Sequence, residues 1–363
     1  MRSRSLAALA ILSVLGCDRE PPRAVPAGPS PSEVASARQA IVAKLVASAL
    51  SEVRARKLEL VPPEWEERRV AFGRGLLVRL DSSRFEAFAV PSMTPLFSEA
   101  LEGPRGLVEL PGGSVLAIGA DAALRIDPDA KTPVRLPRIS ATPGVVFLPE
   151  RRNSAQVWAV HRSGGIAARH ELALDRKLSL SDTITLEGYD GGPIAAMKNG
   201  ELLYRSADGV RITVPEGRPR RARADIRPWR LLPARRVDQA FAVSAEGEVR
   251  LWQLGEGLLV RLRVELGSRP ISAASSGDVL AVVTVKEAPT GRSFALRVID
   301  AEGATVLSLP LGAPPEVLGD DWAAKLVADH EVSLSESDGL VAVGGPSRLR
   351  VFSLRDGKSV FER

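Results

Sequence analysis

From about Arg68 onward, short aliphatic and β-branched runs alternate with Gly, Pro and Asp, the texture of strands separated by turns. Within it one triplet recurs, a bulky apolar residue followed by an apolar pair. It stands at Leu76-Leu77-Val78, Leu116-Ala117-Ile118, Trp158-Ala159-Val160 and Leu202-Leu203-Tyr204, and again at Phe241-Ala242-Val243, Leu280-Ala281-Val282 and Val341-Ala342-Val343. The middle residues, taken as anchors, lie 40, 42, 44, 39, 39 and 61 residues apart.

A second pattern keeps step with the first. Seven and nine residues after the anchor come apolar pairs: Leu124 and Ile126, Ile166 and Ala168, Val210 and Ile212, Val249 and Leu251, Leu349 and Val351. This predicts two strands with period-2 alternation joined by a tight turn of constant length. Gly164, Gly209 and Gly247 fall in those turns, where positive φ is often required. The sixth unit stretches its turn through Lys286–Gly291 and resumes at Leu296-Arg297-Val298, while the first has Phe85-Glu86-Ala87 in that place. Five of the six intervals fit the roughly 40–45 residues of a four-stranded propeller blade. The expected fold is therefore all-β, a propeller over residues 68–363 with seven four-stranded blades, eight being the alternative. Closing the circle removes unpaired edges inside the disc. Two closures stay open: Leu58-Glu59-Leu60-Val61 adds a strand to the last blade, or the first and last blades abut. Residues 312–330 read as an insertion, with Asp320–Leu326 as a short capped helix.

On these residues the chain resembles the WD-repeat superfamily. Gly247-Glu248-Val249-Arg250-Leu251-Trp252 is similar to the third strand of such a blade, and so are Ser206–Ile212 and Ser347–Lys358, the last running into an Asp-Gly-Lys turn. The Gly-His dipeptide of that family is missing, and Trp252 alone occupies the tryptophan position. The family's network of His, Asp, Ser and Trp is accordingly not carried over, and quinoprotein-like propellers remain in view.

Upstream, the pattern changes twice. Val42, Val46, Ala49, Leu50 and Val53 fall at helical spacing in residues 33–60, predicting an amphipathic helix capped by Ser32 that packs on the following domain or docks a partner. Residues 17–32 hold five prolines between Pro21 and Pro31 and read as a semi-extended tether. Residues 1–16 carry Arg2 and Arg4, then an uncharged apolar core from Leu6 to Leu15, then Gly16. That is a secretory-signal layout, its core shorter than the about 20 residues a membrane-spanning helix needs. Val14-Leu15-Gly16-Cys17 resembles the bacterial lipobox, which implies cleavage before Cys17, lipidation of its thiol and acylation of the new amino terminus. Cys17 is the sole cysteine, so lipidation leaves nothing for an oxidising compartment to crosslink. Asp18 favours retention at the inner membrane over the outer, by the sorting rule of enteric bacteria.

Composition adds a basic balance, net charge +5 and pI about 9.6. Much of it sits in one stretch: Arg218, Arg220, Arg221, Arg223, Arg227, Arg230, Arg235 and Arg236, with Trp229 among them and Asp225 the single acid. This is read as a solvated loop or as a patch for an anionic partner, such as an acidic protein surface, phospholipid headgroups or an envelope polysaccharide. Nucleic acid is not expected for an exported protein. A second arginine set recurs between the paired apolar positions, at Arg125, Arg211, Arg250, Arg297 and Arg350, and is expected to make ion pairs between blades.

Catalytic signatures are lacking. His161, His170 and His330 have no Cys or Glu at ligand spacing, so no metal is expected. No Gly-x-Ser-x-Gly elbow occurs. Asp356-Gly357-Lys358-Ser359 mimics the end of a phosphate loop but has Phe352 where that motif needs Gly, and Asp127-Pro128-Asp129 is too short for a calcium loop. The expectation is a lipid-anchored, non-enzymatic, monomeric propeller without cofactors that binds protein partners in the cell envelope. The alternative is an enzyme or binding protein for a small molecule or glycan held in the central channel.

Overall fold

The computed structural model describes residues 68–363, apart from 121, 130–131, 138–144, 153–155, 173–179, 215–217, 289–290, 313–328 and 346. The signal, tether and helix expected over residues 1–60, Cys17 among them, lie outside the described residues, as does the helix expected at 320–326. Among the described residues every regular element is a strand.

The strands form seven four-stranded antiparallel sheets, each a meander of consecutive strands. The blades span 70–100, 106–137, 145–185, 189–222, 228–265, 269–312 and 331–362. Their first strands touch in cyclic order, blade 1 to blade 2 and so on round to blade 7, which touches blade 1. The fold is a closed seven-bladed propeller with the first strands around its axis. All seven anchor residues fall on second strands, and the apolar pairs that follow them fall on third strands.

The turn between these strands is not constant in length. Ala159, Leu203 and Ala342 pair with the residue nine positions on, Ala117 with the seventh and Ala242 with the eighth. A one-residue slip normally sends a strand's apolar set to the wrong side. Here both sides of a middle strand are buried, as in the second strands Leu76–Leu80, Val115–Ile118 and Leu340–Gly344, and the slip loses no burial.

The reason is visible in the core, which divides into seven apolar clusters, each lying between two neighbouring blades. Leu76, Val78 and Phe85 of blade 1 meet Leu107 and Val115 of blade 2; Val249 and Leu251 of blade 5 meet Leu280 and Val282 of blade 6. The cluster at the closure joins Val70, Phe72, Leu77 and Phe88 of blade 1 to Leu340, Ala342, Leu349 and Val351 of blade 7. Blade 7 draws all four of its strands from residues 331–362, so the first and last blades abut without exchanging a strand. Polar contacts reinforce this seam: Arg79 donates through Nε to the Gly345 carbonyl at 2.9 Å, and the Phe72 N–H donates to Ser333 Oγ at 3.1 Å.

Four of the five recurring arginines join their blade to what precedes it. Arg211 pairs with Glu187 at 3.0 Å and Arg250 with Asp225 at 2.7 Å, each acid lying in the loop that enters the arginine's own blade. Arg297 and Arg350 donate instead to carbonyls of Leu266 and Leu311, at 2.6 and 3.2 Å. Arg125 departs from the pattern and pairs with Asp127 beside it, at 3.1 Å. Trp252, fully buried, donates its indole N–H to the same Asp225 at 2.9 Å. An aspartate in the entering loop thus anchors both the arginine and the tryptophan of the blade 5 third strand.

Candidate functional site

Antiparallel meanders put the turns between first and second strands, and between third and fourth, on one face of the disc. The remaining turns and the loops between blades lie on the other. This topology separates the arginine-rich stretch. Arg218 sits in the third-to-fourth connection of blade 4, Arg220 and Arg221 on its outer strand Arg220–Ala222, and Arg223 and Arg227 in the loop leading to blade 5. Trp229 and Arg230 belong to the innermost strand Pro228–Pro233, and Arg235 and Arg236 occupy the turn after it. Arg223 and Arg227 therefore lie on the opposite face from Arg218, Arg235 and Arg236. Trp229, 4% exposed, packs in the cluster between blades 5 and 6 with the Arg230 guanidinium 4.4 Å from its ring centre. Several of the others are paired: Arg221 with Asp208 at 3.0 Å, Arg220 with Glu201 at 3.4 Å and Arg227 with Asp190 at 3.5 Å.

On one side of the axial channel, a cavity between the first strands of blades 2 to 5 is lined by Leu107, Val146, Leu148, Ala195 and Leu231, with Arg68, Glu109 and Arg151 as its charged residues. It is about 50 Å³, room for a few waters and well short of the roughly 300–1,000 Å³ of ligand pockets. A shallower groove of about 270 Å³ lies on the rim of blade 1, between Phe88, Pro95 and Phe97 and the Glu86–Arg363 ion pair.

Around one mouth of the channel stand the turns between first and second strands. Those of blades 3, 4 and 5 present Arg151 and Arg152, Lys198, and Arg235 and Arg236, together with the buried Glu150 and the paired Glu201 and Asp238; those of blades 6 and 7 present Asp278, and Glu336 and Asp338. Lys198 Nζ donates to the Arg235 carbonyl at 2.9 Å, and the Arg235 guanidinium lies 3.5 Å from Asp278. The Glu336 N–H donates to Ser276 Oγ at 3.1 Å, tying the next turn into the ring. Burial and then the Arg151 charge hold the Lys198 ammonium below the usual lysine value, while Asp278 and Glu336 act in the other direction. Sequence reasoning missed this ring because its members are far apart in the chain. Reading the residues three to eight positions ahead of each anchor collects them, together with Arg69, Arg74, Glu109, Asp238 and Asp338.

The histidines do not converge on a centre. His161 lies on the second strand of blade 3 and His170 on the third; burial and then His161 lower the pKa of His170. His330, buried, stacks on Phe294 with ring centres 4.1 Å apart and contacts Arg348. Among the described residues no three His, Cys, Asp or Glu side chains are grouped as metal ligands.

No protein-family model matches the sequence, and no curated protein does. Solved structures do resemble its fold. A chain of the mitotic checkpoint complex is 12% identical, covering 82% of this chain and 92% of its own, with a TM-score of 0.57. A functionally unknown protein from Desulfotomaculum acetoxidans is 16% identical over 80% of this chain and 95% of its own, at 0.54. Kluyveromyces lactis Hsv2 is 12% identical over 78% and 93%, at 0.53. With the strand order, these likenesses define the class: a seven-bladed β-propeller.

Proposed function

We propose that this chain is a lipid-anchored propeller of the bacterial cell envelope that serves as a non-enzymatic scaffold for protein partners. The observation that carries the reading is the contrast between a cavity of only about 50 Å³ among the axial strands of blades 2 to 5 and two broad loop-built faces on a closed ring. A rigid disc of this kind presents a pre-organised surface and loses little conformational entropy on binding. The mitotic checkpoint complex is a protein assembly in which a chain of this fold takes part, a likeness of architecture alone. The channel-centred enzyme or binding protein finds no comparable support in that volume.

The anchor rests on Val14-Leu15-Gly16-Cys17 and the proline-rich tether that follows. Two or three acyl chains on the first mature residue hold a protein stably at a bilayer, where one holds it marginally. The domain then stands in the periplasm, at the inner membrane if Asp18 sorts as in enteric bacteria.

Crosslinking in intact cells followed by pull-down of the full chain from detergent-solubilised envelope tests the scaffold. A defined protein captured in stoichiometric amount is the expected result, and recovery of the chain by itself overturns the reading. The anchor is tested separately by palmitate labelling, with incorporation that disappears in Cys17→Ser. Labelling that persists in that variant refutes the site.

A further inference from the structure

The ring of turns at the channel mouth is polar in a directional sense. Three consecutive blades bring exposed cations to it and the next two bring carboxylates, on one face of one disc. Glu150 of these turns is buried, Glu201 and Asp238 are paired with Arg220 and Arg236, and blade 1 adds the exposed Arg74 beyond Glu336. The groups are close enough to act on one another, since Lys198 is bonded to the Arg235 backbone, Arg235 reaches Asp278, and Asp278 and Glu336 both act on the Lys198 ammonium. Lys198, Arg235 and Glu336 are exposed to solvent and Asp278 is half-exposed, so these charges are available from outside the disc. Arg151 continues the cationic arc inward to the channel wall. On the opposite face, Arg211 and Arg250 are bound to Glu187 and Asp225 in the loops entering their blades, and Arg205, 5% exposed, to Asp190 on the first strand of its own blade, which uses those charges to hold the ring.

We infer that the mouth formed by the first turns of blades 3 to 7 is the partner-binding site, and that it takes an extended protein segment with acidic side chains over Arg151, Lys198 and Arg235 and basic ones over Asp278 and Glu336. This rests on the scaffold reading and adds the chemistry and the polarity of what is bound. Two arcs of opposite sign fix the direction in which a segment lies: reversing it places like charges together on both sides, which costs affinity at each. A carboxylate brought to Lys198 also relieves the unfavourable field that Arg151 imposes on its ammonium.

The test uses the full chain in detergent and two fluorescein-labelled peptides, one of four glutamates and one in which the four glutamates are followed by two glycines and four lysines. Fluorescence anisotropy is read at about 50 and about 150 mM salt, between which the screening length falls from about 14 to about 8 Å. The mixed peptide is expected to bind more tightly than the glutamate peptide. K198E/R235E should weaken both by about tenfold or more, the loss of one or two charge-assisted contacts. D278K/E336K should remove only the advantage of the mixed peptide, and R223E/R227E, on the opposite face, should change neither.

No detectable binding of either peptide, binding unchanged in K198E/R235E, or equal loss in R223E/R227E overturns the proposal. Should K198E/R235E fail to fold, K198Q/R235Q gives the same readout, with a loss of about threefold or more expected and no loss as the refuting result. Capture of the envelope partner provides the separation from the scaffold reading. A partner still captured by K198E/R235E overturns the mouth and leaves the scaffold, whereas peptide binding at the mouth without any captured protein overturns the scaffold alone.

Discussion

Asp225 is the residue whose removal tests the blade architecture most directly. It stands in the loop entering blade 5 and accepts two bonds, from Arg250 Nε at 2.7 Å and from the Trp252 indole at 2.9 Å. Asp225→Ala leaves an indole N–H without its acceptor on a side chain that is 0% exposed, a loss of about 1–3 kcal/mol. Arg250 loses less, because its guanidinium, 5% exposed, keeps Glu248 on the other side. The Asp225 carboxylate is itself 37% exposed, so solvent screens that pair and about 1 kcal/mol is the appropriate scale. Together the expected destabilisation is about 2–4 kcal/mol, a large share of the about 5–15 kcal/mol that holds a folded domain. Asp225→Asn keeps an acceptor for the indole and should recover roughly half of it. The measurement is equilibrium urea unfolding followed by tryptophan fluorescence, with Arg250→Met and the double variant completing a cycle. A cost below about 0.5 kcal/mol for Asp225→Ala, the scale of an unremarkable surface change, would show that the entering loop does not fasten the blade.

Three other outcomes follow from named contacts. Burial raises the two tyrosines of the chain, Tyr189 and Tyr204, each to about 12, so the native protein should show no tyrosinate absorbance near pH 10, where the urea-unfolded chain ionises. Because the folded value is the higher one, their contribution to stability is intact below about pH 10 and is lost as pH rises toward about 12, and spectrophotometric titration in and out of urea reads both. Gly73→Ala should destabilise the seam between blades 1 and 2 by about 2 kcal/mol or more in urea unfolding, since its new Cβ would stand 2.2 Å from the Gly113 carbonyl oxygen, which is backbone and has no rotamer to give. Arg79→Met should loosen the seam between blades 1 and 7, where Nε meets the Gly345 carbonyl, by about 1–3 kcal/mol, seen as a lower thermal midpoint; an unchanged midpoint would refute the assigned role.

The ring was legible because a propeller repeats one unit whose middle strands are buried on both sides. Anchors such as Ala117, Ala242 and Ala342 are 0% exposed, and the requirement for apolar residues there is what the triplets record. The same two-sided burial explains why the exact hairpin pairing was not legible. Where Leu203 pairs with Ile212 and Ala242 with Arg250, the apolar pattern around both is satisfied, so periodicity carries no information that distinguishes the two registers. The closure was underdetermined for a related reason. Phe72 and Leu77 meet Ala342 and Val351 across the whole length of the domain, and a contact of that sequence separation leaves no local pattern. Trp252 gave a partial view: its position in the third strand was readable, but its partner Asp225, 27 residues earlier, takes a role that only the entering loop's path makes possible.

The arginine-rich stretch is divided between two faces for a geometrical reason, and the same geometry indicates how propeller sites should be sought. In such a stretch the chain passes from the outer strand of blade 4 through a connecting loop to the axis and out again, so residues 218–236 cross from one face to the other and back. Contiguity in sequence there means dispersal in space. Proximity instead runs at the blade period: Arg151, Lys198, Arg235, Asp278 and Glu336 precede their anchors by similar short distances and so occupy equivalent turns around one opening. A charge pattern read down the repeat, blade by blade, reports the surface a partner meets; read along the chain, it reports mostly the path of the backbone. In this chain that reading gives a cationic arc beside an anionic one, an arrangement that net charge alone conceals. A face of this kind selects partners by the arrangement of their charges more than by their total, so its binding should respond to reversing a partner segment as strongly as to neutralising it.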